Sequence, residues 1–340
     1  APASRLGILL VLGASSARGE TRLIPYRRGM GVGHFRRLLL VVKHTPYEMY
    51  LQMKSQGKAP LALRWERLKH RHQVHKECVQ DLSDLLRRMD MDFSMVGREE
   101  LDRQHLKNVD LVVAVGGDGT VLSCSHFLDD TIPLLGVNSD PSRDDEKKVN
   151  KKLDERRSFG ALCACTASNM FEVIPDILHG QNQAGRRTRI QTVVRDALKE
   201  TKLPPALNDI LVAHPIPAAV SRFRLGFLNS AGDETSHFNV WSSGLWISTA
   251  TGSSAAMTAA GGVLMDLKSS ELQYMVREHL LEAGGEHLEK EGHGMLQPGN
   301  TLQMRWNSQH GCVYVDGSHV RHNLQLGDTV SLSADAPPIW

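Results

Sequence analysis

The stretch "VDLVVAVGGDGTVLSCSHFL" (residues 109–128) carries an apolar run directly into Gly116-Gly117-Asp118-Gly119-Thr120 and then into a second apolar pattern. Leu111 to Val115 reads as a buried strand, residues from about Thr120 to Leu128 as a helix, and Ile132 to Gly136 as the next strand. Strand, helix and strand in that order predict parallel pairing with a right-handed crossover. Successive glycines at such a turn let backbone N–H groups approach a ligand unhindered, and the following helix adds its positive dipole end. Gly116, Gly117, Gly119 and Thr120 therefore form a candidate phosphate cradle. Asp118 is the unusual member. A carboxylate beside phosphates is repelled unless it holds a metal, accepts a proton or orients a hydroxyl nucleophile, which points to phosphoryl transfer. A tight strand-to-helix turn in which Asp118 bonds only local N–H groups is the other reading of the same residues.

Other phosphate motifs are absent or misplaced. No GxxxxGK[ST] loop occurs, and "GMGVGHF" at residues 29–35 precedes the first strand instead of following one.

Toward the N-terminus, Leu38 to Val42 reads as another buried strand, and "HTPYEMY" as its exit loop and a helix start. Between residues 65 and 89, Cys78, Leu82, Leu85, Leu86 and Met89 recur at helical spacing, giving an amphipathic helix that covers a sheet. His70, His72 and His75 in that helix fit a solvated face better than a metal cluster, because no carboxylate or cysteine completes a ligand spacing. Cys163-x-Cys165 lies where alternate residues share a strand face, without a second ligand pair. Residues 1–37 hold seven arginines, from Arg5 to Arg37, against the single acid Glu20, and read as a flexible or targeting-like leader.

Toward the C-terminus, residues 143–157 are nearly all charged and read as a solvated loop or short helix. "SNMFEVIPDILHGQ" (residues 168–181) reads as a helix between two domains, weakened by Pro175. Beyond Arg186 come many short strands separated by turns, interrupted by a helical interlude over about Ser253 to Leu288. The fold class is thus an α/β N-terminal domain with a parallel Rossmann-like sheet over residues 38–180, followed by a mainly β, sandwich-like domain over 181–340. The C-terminal segment is a candidate to return to the first domain.

Composition sets bounds on function. The 340 residues are 41% hydrophobic and 23% charged, with a formal net charge of only +2, so no basic field marks nucleic acid or a membrane surface as the main partner. No apolar run approaches the roughly 20 residues of a membrane span. Five cysteines without paired spacing suit a reducing compartment. The expected setting is the cytoplasm, or mitochondria or another organelle if the leader targets.

Three further stretches narrow the family. Gly-Gly-Asp-Gly-Thr after an apolar strand resembles the signature shared by NAD kinases, diacylglycerol kinases and phosphofructokinases. Leu207-Asn208-Asp209, "STATGSSAAMTAAGG" (residues 248–262) and "VDGS" (residues 315–318) resemble later NAD kinase motifs in order and separation. "GVNSDP" (residues 136–141) and the small-residue run bring the chain nearest to the plant-type NADH kinases.

The resemblance covers roughly residues 38 to 335. It implies Mg²⁺-dependent transfer of the ATP γ-phosphate to the adenosine-ribose 2′-hydroxyl of NADH, and less readily NAD⁺, with Asp118 catalytic, the ion held by ATP phosphates, and a homodimer. Asn208 and Asp209 would clamp ribose hydroxyls, and Thr251, Gly252, Ser253, Ser254 and Ala255 would line the dinucleotide. A lipid kinase of the same superfamily, or a catalytically silent dinucleotide sensor, are the competing readings.

Each motif also has a plain structural account. Asn208-Asp209 could be a turn before a strand, the small residues could be packing, and Asp316-Gly317 is a pair favoured in type I′ hairpins, so Asp316 receives little weight as a ligand residue. The chain departs from the family at Ser243, where an aspartate is usual, and at Ala256 and Ala259. Serine at 243 removes an attraction specific to the positively charged oxidised nicotinamide, which favours NADH.

Overall fold

The computed structural model describes residues 35–141, 159–182, 184–280 and 291–340. Residues 1–34 of the leader and the charged segment 143–157 lie outside them.

The first domain is a parallel sheet built from β1 (Arg37–Val42), β2 (Asp92–Gly97), β3 (Leu111–Gly116), β4 (Leu134–Asn138) and β5 (Cys165–Thr166), in the order β2-β1-β3-β4-β5. Period-two alternation divides its two faces. Leu38, Leu40, Val113 and Val115 pack toward α2 (Trp65–Arg88) and the helix at Met170–Leu178, whereas Leu39, Val41, Val112 and Ala114 pack toward α3 (Asp118–Ser125). The helix at 170–178, here α4, accommodates Pro175 and buries Met170, Ile174 and Leu178 against this sheet. It belongs to the first core. The helix α1 (Pro46–Ser55) starts where "HTPYEMY" predicts: Thr45 and Glu48 form a capping box and Pro46 takes the first turn.

Two expectations change here. His75 is fully buried, with Nδ1 2.8 Å from the Ser139 hydroxyl, so this part of α2 is no solvated face. Burial, with Lys43 and Lys76 nearby, lowers its pKa to about 4 and keeps the ring neutral. Helical periodicity could not show this, because the buried stripe of α2 extends one turn further than its apolar residues do. Cys163 packs on the α3 side and Cys165 on the α2 side, since only Cys165 lies within a strand.

The second domain stacks two antiparallel six-stranded sheets. One contains β6 (Gln191–Arg195), β7 (Glu200–Lys202), β9 (Ser221–Leu228), β10 (Glu234–Ser242), β14 (Thr301–Trp306) and β17 (Thr329–Ser333); the other contains β8 (Asp209–Ala213), β11 (Gly244–Ser248), β12 (Leu272–Arg277), β13 (His293–Leu296), β15 (His310–Val315) and β16 (Val320–Gln325). Ile190, Phe223, Leu225, Val212, Ile247, Val313 and Trp306 meet between them in one core. The helical interlude expected over 253–288 does not form across its described residues, 253–280. It shrinks to a short turn at Gly252–Ser254 and a single helical turn, α5 (Ala256–Ala259), and Leu272–Arg277 is a strand; residues 281–290 lie outside the described set. Alternate burial of Leu272, Tyr274 and Val276 against the sandwich core overrides the weak helical signal.

The chain end returns to the first sheet. Leu134 N–H donates to Trp340 O at 2.7 Å, and Ile339 is buried among Leu39, Val41 and Leu207.

Candidate active site

The strand order β2-β1-β3-β4-β5 reverses direction between β1 and β3, and ligands of open parallel sheets bind outside the carboxyl ends of strands at such a switch point. Gly116 to Thr120 stand at that end of β3. Their glycines have different reasons. A Cβ on Gly116 would lie 2.2 Å from Thr120 Oγ1, so this glycine lets the buried threonine fold back over the turn. A Cβ on Gly119 would meet nothing within 4 Å. Packing does not require that glycine, and its bare backbone leaves the approach to the first turn of α3 unobstructed. Gly117 precedes the helix in extended conformation. Thr120 is only 2% exposed, so its hydroxyl sits inside the turn.

Asp118 opens α3, and its two oxygens divide between two backbone donors. Oδ1 accepts Leu162 N–H at 2.8 Å, and Oδ2 accepts Gly160 N–H at 3.2 Å. Each oxygen of a carboxylate has two lone pairs, so the group can accept more than these two bonds. These donors belong to a strap, residues 160–162, that is itself tightly built. Gly160 has φ +71°, and a Cβ there would come within 2.6 Å of Asn138 Nδ2. Beside it, Ser139 N–H donates to Gly116 O at 2.9 Å, and buried Asp140 accepts Arg71 Nε at 2.8 Å. The ends of β3 and β4 are thereby tied to α2.

The other expected residues converge from far apart in sequence. Strands β11, β8 and β15 are adjacent and antiparallel, with Ser248 opposite Asp209 and Val315 opposite Ile210. Asn208-Asp209, residues 249–253 and Asp316 consequently share one end of that sheet. Thr249 joins them: its N–H donates to Asn208 O at 2.9 Å and its hydroxyl to Leu207 O at 2.6 Å. A Cβ on Gly252 would lie 2.2 Å from Asn208 O, so this glycine is required by packing. Ser253 is buried, donating to Ala250 O and accepting Met265 N–H. Thr251 is largely buried, while Ser254 and Ala255 are exposed and form the open part of the segment.

Asn208 and Asp209 have the chemistry of a hydroxyl clamp. Among the described residues, Asn208 Oδ1 is buried without a hydrogen-bond partner. Such an acceptor is costly unless a ligand supplies a donor. Asp209 is 8% exposed, and burial foremost, then the charge of Asp316, raises its pKa to about 7.

The two halves meet at α3. Leu207 packs with Val121 and Cys124 of that helix. Fully buried Arg189 donates through Nη1 to Ser125 O at 2.7 Å and Leu128 O at 2.9 Å, and through Nε to Pro337 O. Burial lowers its pKa to about 10, which leaves the guanidinium charged at neutral pH.

Several of these partners had no sequence signal. Gly160, Leu162 and Arg189 carry no motif, and Thr249 lay inside the 248–262 stretch without being singled out. His126 stood in the opening stretch as a polar residue at the end of an apolar helix. The connection holding Asp316 has four residues, 316–319, because Val315 pairs with Val320; it is not the two-residue hairpin that Asp316-Gly317 suggests.

Comparison with known proteins follows the same lines. Residues 34–140 match the family described as ATP-NAD kinase N-terminal domain. A protein from Oryza sativa subsp. japonica named probable NADH kinase is 43% identical over 272 residues, covering 79% of this chain and 82% of that protein. An Arabidopsis thaliana protein named NADH kinase is 40% identical over 308 residues, covering 89% of this chain and 94% of that one. An NAD kinase from Archaeoglobus fulgidus, crystallised with ATP, shares the fold with a TM-score of 0.60 at 16% identity, over 89% of this chain and 92% of its own. With that extent of identity to full-length relatives, the chain belongs to the NAD kinase family.

Proposed function

We propose that this chain transfers the γ-phosphate of ATP to the 2′-hydroxyl of the adenosine ribose of NADH, and less readily of NAD⁺. The observation that carries the reading is the joining of two sites on one helix: Asp118 at the open N-terminus of α3, and the Asn208-Asp209 pair held against its other end. Asp118 would accept the hydroxyl proton as the phosphoryl group arrives. A carboxylate is far too weak a base to deprotonate an alcohol beforehand, so its work lies in the loose transition state and in orientation. Gly116, Gly117, Gly119 and Thr120 would present the turn and its N–H groups to phosphate. Asn208 and Asp209 would fix the ribose, with Thr251 to Ala255 beside it.

Among the described residues no group of three or more His, Cys, Asp or Glu side chains could hold a metal ion. Mg²⁺ would be bound mainly by the ATP phosphates, the usual manner for an ion that keeps much of its own water. Bound there, it would offset charge on the transferring oxygens.

The decisive assay incubates the protein with ATP, Mg²⁺ and NADH or NAD⁺ and measures phosphorylated dinucleotide. NADPH and NADP⁺ are the expected products, and binding without ATP consumption would select the silent sensor instead. The preference for NADH rests on Ser243 and on the names of the plant relatives. Ser243 donates its hydroxyl to the Glu278 carboxylate. Ser243→Asp adds a second carboxylate there and should raise kcat/KM for NAD⁺ relative to NADH several-fold, by about 1 kcal/mol of added attraction at an exposed site. An unchanged ratio removes this explanation.

A homodimer is also proposed. Tyr314, Leu211, Trp246 and Met275 form a half-buried apolar row across four adjacent strands on the outer face of one sheet. A second copy covering that row would remove it from water. Light scattering should give the dimer mass for the wild type and a monomer for Trp246→Glu; a monomeric wild type ends the proposal.

A further inference from the structure

Asp316 stands in the connection between β15 and β16, yet its side chain is fully buried. Its Oδ1 accepts Asn208 N–H at 2.7 Å and Asp209 N–H at 3.1 Å, and its Oδ2 accepts Leu207 N–H at 2.9 Å. The same Oδ2 lies 2.8 Å from His126 Nε2, which must be the donor because an ionised carboxylate only accepts. Asp316 N–H in turn donates to Asp209 O at 2.9 Å. A turn aspartate normally satisfies its own neighbours. This one holds groups 107 to 190 positions away and keeps φ at +50°, a left-handed conformation uncommon outside glycine. Three successive N–H groups converging on one anion form a nest, and here the anion is part of the protein.

The fourth donor gives that nest a second purpose. His126 caps α3, the helix that Asp118 opens. One carboxylate therefore grips both the backbone that presents Asn208 and Asp209 and the far end of the rigid element that presents the phosphate turn. Its oxygens are occupied and shielded, so it does not touch a substrate. We infer that Asp316 and His126 are positioning residues, a clasp that fixes the ribose clamp in register with Asp118. Arg189 independently anchors the carbonyls of Ser125 and Leu128, so loss of the histidine bond shifts the register without freeing the helix.

The inference deepens the kinase reading and rests on it for its kinetic test. His126→Phe keeps a ring of similar size and cannot donate. It should lower kcat about 10-fold or more, with dinucleotide Kd within about threefold of wild type, because small misplacements of reacting groups cost rate more than affinity. His126→Gln, which can donate through its amide, should recover most of the loss. A kcat within about twofold of wild type overturns the clasp. So does a loss that Gln does not repair and that follows the thermal midpoint. If the wild type forms no phosphorylated dinucleotide, the kinase reading falls, and hydrogen exchange still decides the clasp. Asp316→Asn and His126→Phe should each speed amide exchange of residues 207–209 about 10-fold or more over wild type; unchanged exchange overturns it.

Discussion

Replacing Asp118 with asparagine should lower turnover by about 100-fold or more while leaving dinucleotide affinity near the wild-type value. The amide keeps the size and placement of the carboxylate but neither takes up the proton nor attracts the hydroxyl as charge develops. Steady-state rates against calorimetric binding would separate the two quantities, and near-normal turnover would remove Asp118 from the chemistry. The structure adds a second consequence. Both Asp118 oxygens accept strap N–H groups, from Gly160 and Leu162, and an amide has only one acceptor oxygen. One strap N–H would then face an NH₂ group. Leaving a part-buried donor unmatched costs about 1–3 kcal/mol, so the variant should also melt earlier. Asp118 therefore braces the wall of its own site.

Asp209→Asn should have the opposite effect on stability. The Asp209 carboxyl is raised from 3.8 to about 7 in the folded chain. The native state thus binds that proton more tightly than the unfolded state does. Its contribution to stability is fully present below the unfolded pKa and is lost as pH rises through the folded one. Above that window the fold carries a buried anion beside Asp316. Asparagine removes that charge, and at pH 8 the variant should be more stable by on the order of 3 kcal/mol, the advantage vanishing below about pH 4.

Function should move the other way. Ionised Asp209 is the better acceptor for a ribose hydroxyl, so wild-type affinity for dinucleotide should tighten as pH rises from 6 to 8. The Asn variant should bind more weakly and without that slope. Urea titrations and calorimetry across pH would check both. A variant less stable than wild type at pH 8 would mean that Asp209 is held by compensating donors, and a flat wild-type affinity would take it out of the clamp. Strain of this kind at a binding site exchanges stability for function.

How much of this was legible depends on the range of the interactions involved. Alternation in Leu38–Val41 and in Leu111–Val115, the capping residues Thr45 and Glu48, and the glycine turn are local features, read from neighbours within a few positions. The parallel sheet and the chain of short strands followed from them. The described part of the interlude, 253–280, was misread because small residues and scattered leucines imitate a helix, while Leu272, Tyr274 and Val276 owe their strand to a core supplied by residues as distant in the chain as Ile190. His75 was misread because its burial comes with packing at Ser139, which follows β4 and lies far away in sequence.

By itself the sequence determined the family, the order of the layers, and the placing of Asp118 in the turn between a buried strand and a helix, since propensity, periodicity and turn chemistry act along the chain. Only the tertiary structure decided which residues share the site. It gathered Asn208, Asp209, Thr249 and Asp316 at one end of three adjacent strands, turned Gly252 and Ser253 inward, and joined Asp316 to His126. Those outcomes depend on strand register and on competition for buried hydrogen-bond donors, and neither is encoded in any short stretch.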